Sequence, residues 1–295
     1  MLSRVPCAPT LSDSEVEVSC VIMDNSNIQE ALVHYSVDGG DYLSVSMTSD
    51  GDSTFTGVVP ISGGSTVYYY ITATDDGADQ AEPKTSIYPY DTDHDQFGFH
   101  VTDELTVEIV QETPWPSGNT LYEGCTVTLT GVVTADTSQY ASGYSSYALQ
   151  DGDGQWDGII FDLPLDAMEP VVMTRGDEVT VTGLITDNDP DWTFKFGGNT
   201  RLINASVEVG SAVGEPAPTV VSCEDVHQVS DEVESYEGVL VQLNNVTISA
   251  VNDFDWAITD DTGFEALLDD DMANMAANNM MSELSEGEML DPVSY

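Results

Sequence analysis

Basic residues are what this 295-residue sequence has least of: five Lys and Arg stand against 53 Asp and Glu, for a formal charge of −48. A groove that binds nucleic acid by neutralising phosphates is built from clustered Lys and Arg, and five cations cannot supply it. An anionic membrane surface repels such a chain for the same reason. No uninterrupted apolar run approaches the roughly 18 residues a membrane helix needs, so no membrane insertion is expected. The opening MLSRVPCAPT has no apolar core of a secretory signal, and an exported protein would carry its signal outside these residues. Helical periodicity is scarce as well; only 271–284, rich in Met, Ala, Asn and Leu, predicts a short helix.

Cysteine and histidine are few, and neither falls into a motif. Cys7, Cys20, Cys125 and Cys223 show no CxxC or CxxCH spacing, which removes the usual zinc, redox and haem-attachment readings. The even count leaves disulfides open. Cys7 with Cys20, bridging the first two strands of one module, is the first expectation and Cys125 with Cys223 the second; buried free thiols are the alternative. His34, His94, His100 and His227 are the only imidazoles, and none lies in a GxSxG or HExxH context, so no Ser or Cys hydrolase is expected. With 53 acids, pairs of carboxylates arise by chance, and no glycosidase pair can be singled out. The chain reads as no enzyme.

What is present is strand. Hydrophobic residues make up 41% of the chain, with 13 Tyr, 8 Phe and 4 Trp, enough to bury cores despite the charge. Alternation such as Glu15-Val16-Glu17-Val18 and Thr126-Val127-Thr128-Leu129, bounded by Gly, Asp and Asn, recurs throughout and predicts an all-β protein. Over residues 1–103 it predicts a sandwich with strands at 16–23, 31–37, 42–47, 54–59, 67–74 and 97–101, the second and third joined across Asp38-Gly39-Gly40-Asp41. The Pro-rich junction at 113–118 follows.

Beyond the junction the sequence repeats itself. Tyr122-Glu123-Gly124 with Val127, Leu129 and Val132 returns as Tyr236-Glu237-Gly238 with Val241, Leu243 and Val246. The stretch from Tyr147 to Gly154 returns as Trp256 to Gly263. Two blocks in the same order mean two copies of one fold. The first copy, within 104–222, predicts strands at 124–136, 145–150, 158–162, 177–186 and 192–208, an order that suits a small Greek-key barrel of the OB type. The second, within 223–295, predicts a strand at 265–268, has no counterpart of RGDEVTVTGLITD, and reads as a truncated barrel with an open edge.

Two resemblances sharpen this reading. The segment VHYSVDGGDYLSVSMTSDGDSTFTGVVPISGGSTVYYYITATDDG resembles the immunoglobulin-like or fibronectin-type-III-like modules of large secreted bacterial proteins. LTGVVTA, YALQDGDGQWDGIIF and RGDEVTVTGLITD resemble the OB-fold modules attached to extracellular bacterial nucleases and phosphoesterases. Together they imply an immunoglobulin-like β-sandwich followed by tandem OB-like barrels, in a secreted or cell-surface protein.

Calcium is the one cofactor the residues suggest. Asp151, Asp153 and Asp157 share a Gly-rich turn, Asp91, Asp93 and Asp95 another, and Asp269, Asp270 and Asp271 form a third cluster of hard oxygens. Neither of the first two has the glycine of an EF-hand loop, and turn chemistry alone accounts for Asp and Gly there. Tyr144, Trp156, Trp192 and Phe194 are the candidate ligand contacts, since OB barrels stack ligands on aromatic side chains. An extracellular polysaccharide needs no cations and is the expected ligand. The function expected is therefore a non-catalytic accessory or ligand-binding segment that presents or spaces a functional domain. The alternatives are nucleic-acid-binding modules of an extracellular nuclease, bridged by divalent cations, and a structural adhesion array.

Overall fold

The structure, a computed structural model, describes residues 2–4, 7, 9–49, 51, 53–78, 82–115, 118–135, 146–164, 171–187, 199–227, 229–230, 232–251, 255–269, 287, 289–290 and 293–294. It is an all-β protein, as the alternation predicts. Its contacts divide it into two compact units, one made of 1–105, 113–127 and 185–198, the other of 106–112, 128–184 and 199–295.

The first unit is built on two sheets. Its strands are β1 (Leu2–Arg4), β2 (Glu15–Val21), β3 (Ile28–Val37), β4 (Leu43–Ser46), β5 (Thr48–Ser49), β6 (Thr54–Pro60), β7 (Thr66–Asp75), β8 (Thr85–Tyr88) and β9 (Phe97–His100). One sheet has the order β1-β2-β6-β5; the other runs β4-β3-β7-β8, with β9 also on β7. β7 shows why the sequence folds this way. Val67, Tyr69, Ile71 and Ala73 are buried while Thr66, Tyr68, Tyr70, Thr72 and Thr74 face outward, the period of two that a half-buried strand demands. The inward residues join Val16, Val18 and Val59 of the opposite sheet and Val33 and Phe99 of their own in one core. The β3–β4 hairpin turns through Asp38 and Gly39, both at positive φ, which matches the twist of the flanking strands. β1, β5 and β8 are strands the alternation does not reveal: β1 and β5 have three and two residues, and β8 buries no alternating face.

The disulfide expectation needs correction. Cys7 is bonded to Cys125, with Cα atoms 5.3 Å apart and 118 residues between them in sequence. Cys20 is a free thiol buried beside the Met47 sulfur, and Cys223 is free and buried as well. Cys20 points into the core from β2, so it faces the opposite sheet and not Cys7.

The second unit holds the second copy of the repeat and most of the first, whose 113–127 and 185–198 belong to the first unit. After a short helix, α1 (Val107–Gln111), come β10 (Thr126–Ala135), β11 (Ser146–Gln150), β12 (Gly158–Asp162), β13 (Asp177–Thr186) and β14 (Arg201–Ala212). They close into a barrel of order β10-β11-β12-β14-β13, in which β12 and β14 run parallel. β14 begins at Arg201 and extends past the expected end at 208, while residues 192–198 of that expectation lie outside the described residues.

The second copy follows with β15 (Thr219–Val220), the 3₁₀ turn Val233–Tyr236, β16 (Val241–Leu243), β17 (Val246–Val251), β18 (Asp255–Thr259), β19 (Glu265–Asp269), β20 (Met289–Leu290) and β21 (Val293–Ser294). Its sheet runs β19-β18-β17-β20, repeating the order β12-β11-β10-β13 of the first copy. Even the irregularity recurs: the register slips between Val133 and Ala135 against β11, and between Ile248 and Ala250 against β18. β20 pairs with the edge of β17 that the sequence reading leaves open. The helix expected at 271–284 lies outside the described residues.

Candidate functional site

The turn between β11 and β12 carries the first acidic cluster, and the structure accounts for most of it as turn chemistry. Asp151 N–H donates to the Asp157 carbonyl, and the Asp157 carboxylate accepts from Gly154 N–H at 2.7 Å. A side chain at Gly152 would run into that carboxylate. Residues further along hold the turn from outside: Ser235 C=O accepts from Trp156 N–H at 2.6 Å, the Thr219 hydroxyl donates to Asp153 C=O, and Gln155 Nε2 donates to Glu232 and to the Tyr236 hydroxyl. Trp156 takes a positive φ of 65° and is half-buried.

Beside this turn lies a cleft of about 430 Å³ whose walls include Asp151, Asp153, Glu178 and Glu215. Glu215 is paired with Arg175. The Asp151 carboxylate accepts from Val107 N–H at 2.8 Å, at the start of α1, where Thr106 caps the helix by accepting from Ile109 N–H. The second copy repeats the device. Asp260 accepts from Cys223 N–H at 2.8 Å, and the Ser222 hydroxyl accepts from Asp225 N–H as Thr106 does from Ile109. This third block of the repeat, Thr106-Val107 against Ser222-Cys223, escapes a search by residue identity because only the hydrogen-bonding roles recur.

The two equivalent acids titrate in opposite directions. Partial desolvation pushes Asp151 up although the residue is exposed overall, the Val107 N–H pulls it down by less, and neighbouring Asp157 adds to the rise. Burial alone would raise Asp260 too, but hydrogen bonds from the Thr262 hydroxyl and the Cys223 N–H outweigh it and hold the carboxyl below its ordinary 3.8. A depressed carboxyl stabilises the fold above its unfolded pKa, and that contribution is lost as pH falls through the folded value. A raised one does the reverse: its charge opposes folding at neutral pH, and the penalty fades only as pH falls through the folded value towards the unfolded one. Asp151→Asn is therefore expected to raise Tm at neutral pH and Asp260→Asn to lower it, both differences shrinking towards roughly pH 3. Melting curves of the two variants against pH check this; shifts of the same sign at neutral pH would refute the assignment.

Of the calcium candidates, Asp151 and Asp157 are each engaged with a backbone N–H and Asp153 lines the cleft. Asp269 ends β19, and Asp270 and Asp271 lie outside the described residues. In the other turn Asp91 accepts from the His94 ring at 3.0 Å, and Asp95 from the Asn119 amide. Among the described residues no three or more His, Cys, Asp or Glu side chains come together as a metal-binding group. Of the aromatic candidates only Trp156 lies within the described residues; Tyr144, Trp192 and Phe194 do not. Tyr147 and Trp256, which share a register, are both core residues.

Two of the imidazoles sit among hydroxyls. His34 meets the Ser44 hydroxyl at Nδ1 and the Thr72 hydroxyl at Nε2, with no carboxylate on either nitrogen. His100 stacks on Tyr122 and meets its hydroxyl. The free thiols are inert as nucleophiles, since burial pushes both Cys20 and Cys223 up to about 11. Compared with known proteins, the chain matches no protein-family model and no curated protein.

Proposed function

We propose that this chain is a non-catalytic accessory segment of a secreted or cell-surface protein, which spaces or presents a functional domain and offers a surface to an extracellular ligand. One observation carries the reading: the same Asp in both copies, Asp151 and Asp260, holds the backbone of the segment leading into its own barrel. Acids of this kind are architectural. The strand order of the first barrel, with its parallel β12–β14 pair, supports the OB-type assignment, and the common core of two sheets in the first unit supports the immunoglobulin-like one. The Cys7–Cys125 disulfide supports an oxidising compartment.

The test is an assay of the purified chain, in high salt with and without calcium, against aryl esters, phosphodiesters and glycosides. No turnover is expected. Turnover that a single substitution such as Asp153→Asn abolishes would overturn the reading. In the same preparation, calcium and sodium at equal ionic strength are expected to shift Tm alike. A saturable rise with calcium alone would instead favour modules bridged to nucleic acid by divalent cations.

A further inference from the structure

Part of the outward face of the β4-β3-β7-β8 sheet is free of carboxylates, with Glu30 on the adjoining rung opposite Thr74. Strand register aligns two rungs across it: Ser44–His34–Tyr70, and Ser46–Leu32–Thr72–Ile87. In a chain with 53 acids, neither rung carries a carboxylate. Tyr70 is fixed between His34, stacked on it with centroids 4.7 Å apart, and Tyr42, tilted against it at 5.5 Å. The Tyr42 hydroxyl donates to the Gln96 amide oxygen, and both nitrogens of His34 are held by Ser44 and Thr72. Burial lowers the pKa of His34 although Glu30 opposes the shift, so the imidazole is neutral at neutral pH. Tyr42 and Ile87 are 43% and 45% exposed, and Ser44 and Ser46 are exposed beside them.

Building on the ligand-binding part of the function proposed above, we propose that this face binds a neutral polysaccharide. Sugar rings offer an apolar C–H face that packs on an aromatic ring, and a rim of hydroxyls that pair with Ser and Thr hydroxyls; this face supplies the exposed Tyr42 ring and the Ser44 and Ser46 hydroxyls. Charge selects among occupants. An anionic polymer is repelled by a chain of net charge −48, a basic partner finds no carboxylate on the two rungs, and a second copy brings the same charge against itself. The ring cluster is already ordered by its own hydrogen bonds, so binding loses little conformational freedom.

Affinity electrophoresis of the whole chain through gels containing barley β-glucan, xylan, galactomannan or dextran, with alginate as the anionic control, tests the proposal. Retardation by at least one neutral polymer and none by alginate is expected. Tyr42→Ala and Ser44→Glu, both at exposed positions, should each weaken it about tenfold or more. The proposal is overturned if no neutral polymer retards the protein, if alginate retards it equally, or if both variants bind as the parent does. It is likewise overturned if light scattering shows a dimer that Tyr42→Ala dissolves, for the face is then a self-interface. Release of reducing ends from a bound polymer would overturn the non-catalytic reading and leave the face in place; unchanged affinity in the variants would do the opposite.

Discussion

Alanine at Gly158 or Gly238 is expected to cost the fold about 3 kcal/mol or more, or to prevent it from forming. Gly158 opens β12 and Gly238 ends the Tyr-Glu-Gly block of the second copy, and their backbones lie against each other. A Cβ on Gly158 would stand 2.5 Å from Val239 N and closer still to the Gly238 carbonyl; one on Gly238 would stand 2.9 Å from Gly158 C and Ile159 N. The obstacles are backbone atoms, which cannot rotate aside as a flexible side chain could. The seam is also fastened, since the buried Gln111 amide donates to Gly158 C=O at 2.7 Å. Gly238 carries a second penalty of about 1 kcal/mol, because its φ of 69° is left-handed. Gly263→Ala separates the two effects: its φ is 80° but a Cβ there meets nothing within 4 Å, so it should lose only about 1 kcal/mol. Urea midpoints of the three variants in high salt decide the matter. Near-equal losses at Gly158 and Gly263 would mean that the close approach does not exist.

That seam also shows how far the sequence could be read. Tyr-Glu-Gly is visible twice as a motif, but what its glycine is for is not. Gly124 bends the chain at a φ of 78° with open space beside it, whereas Gly238 bends it and also admits Gly158. The long strands were legible because their period of two survives the excess of acid: in β7 from Thr66 to Thr74 and in β10 from Thr126 to Thr130 every second residue is apolar and buried while the intervening Thr and Tyr face outward. Helix α1 was not. Thr106-Val107-Glu108-Ile109-Val110 alternates like a strand, and the Thr106 cap with buried Val107, Val110 and Gln111 decides otherwise.

The candidate site was legible in composition and not in role. Asp151, Asp153 and Asp157 do share a turn, yet two of the three carboxylates serve backbone N–H groups, one of them 44 residues away in sequence. The aromatic face of the first unit was missed because its members come from separated stretches, at 32–34, 42–46, 70–72, 87 and 96. Only strand register brings them together. The run Tyr68-Tyr69-Tyr70 is the single local hint, and its alternation separates an inward Tyr69 from the outward pair.

Breaking the Cys7–Cys125 bond should have the other large effect. Pairing of this kind cannot be read from spacing, because 118 residues separate the partners and the fold alone brings them within 5.3 Å. In the chain-entropy account, a bridge that closes about 100 residues restricts the unfolded state by about 4.7 kcal/mol. For a protein of this size, loss of that restriction corresponds to a fall in Tm of roughly 10 °C. Cys7→Ser and treatment of the native chain with a reductant should both produce it, and reductant should do nothing further to Cys7→Ser. Cleavage of unreduced protein with an acid-directed protease, suited to 53 Asp and Glu, should yield Cys7 and Cys125 in one linked peptide. Cys20 and Cys223 should be alkylated only after unfolding, since burial keeps both as protonated thiols. A linked Cys7–Cys20 peptide would refute the pairing. The chain recovered fully reduced yet unchanged in Tm would remove the support this bond lends to an extracytoplasmic role, because the fold would then stand without an oxidising compartment.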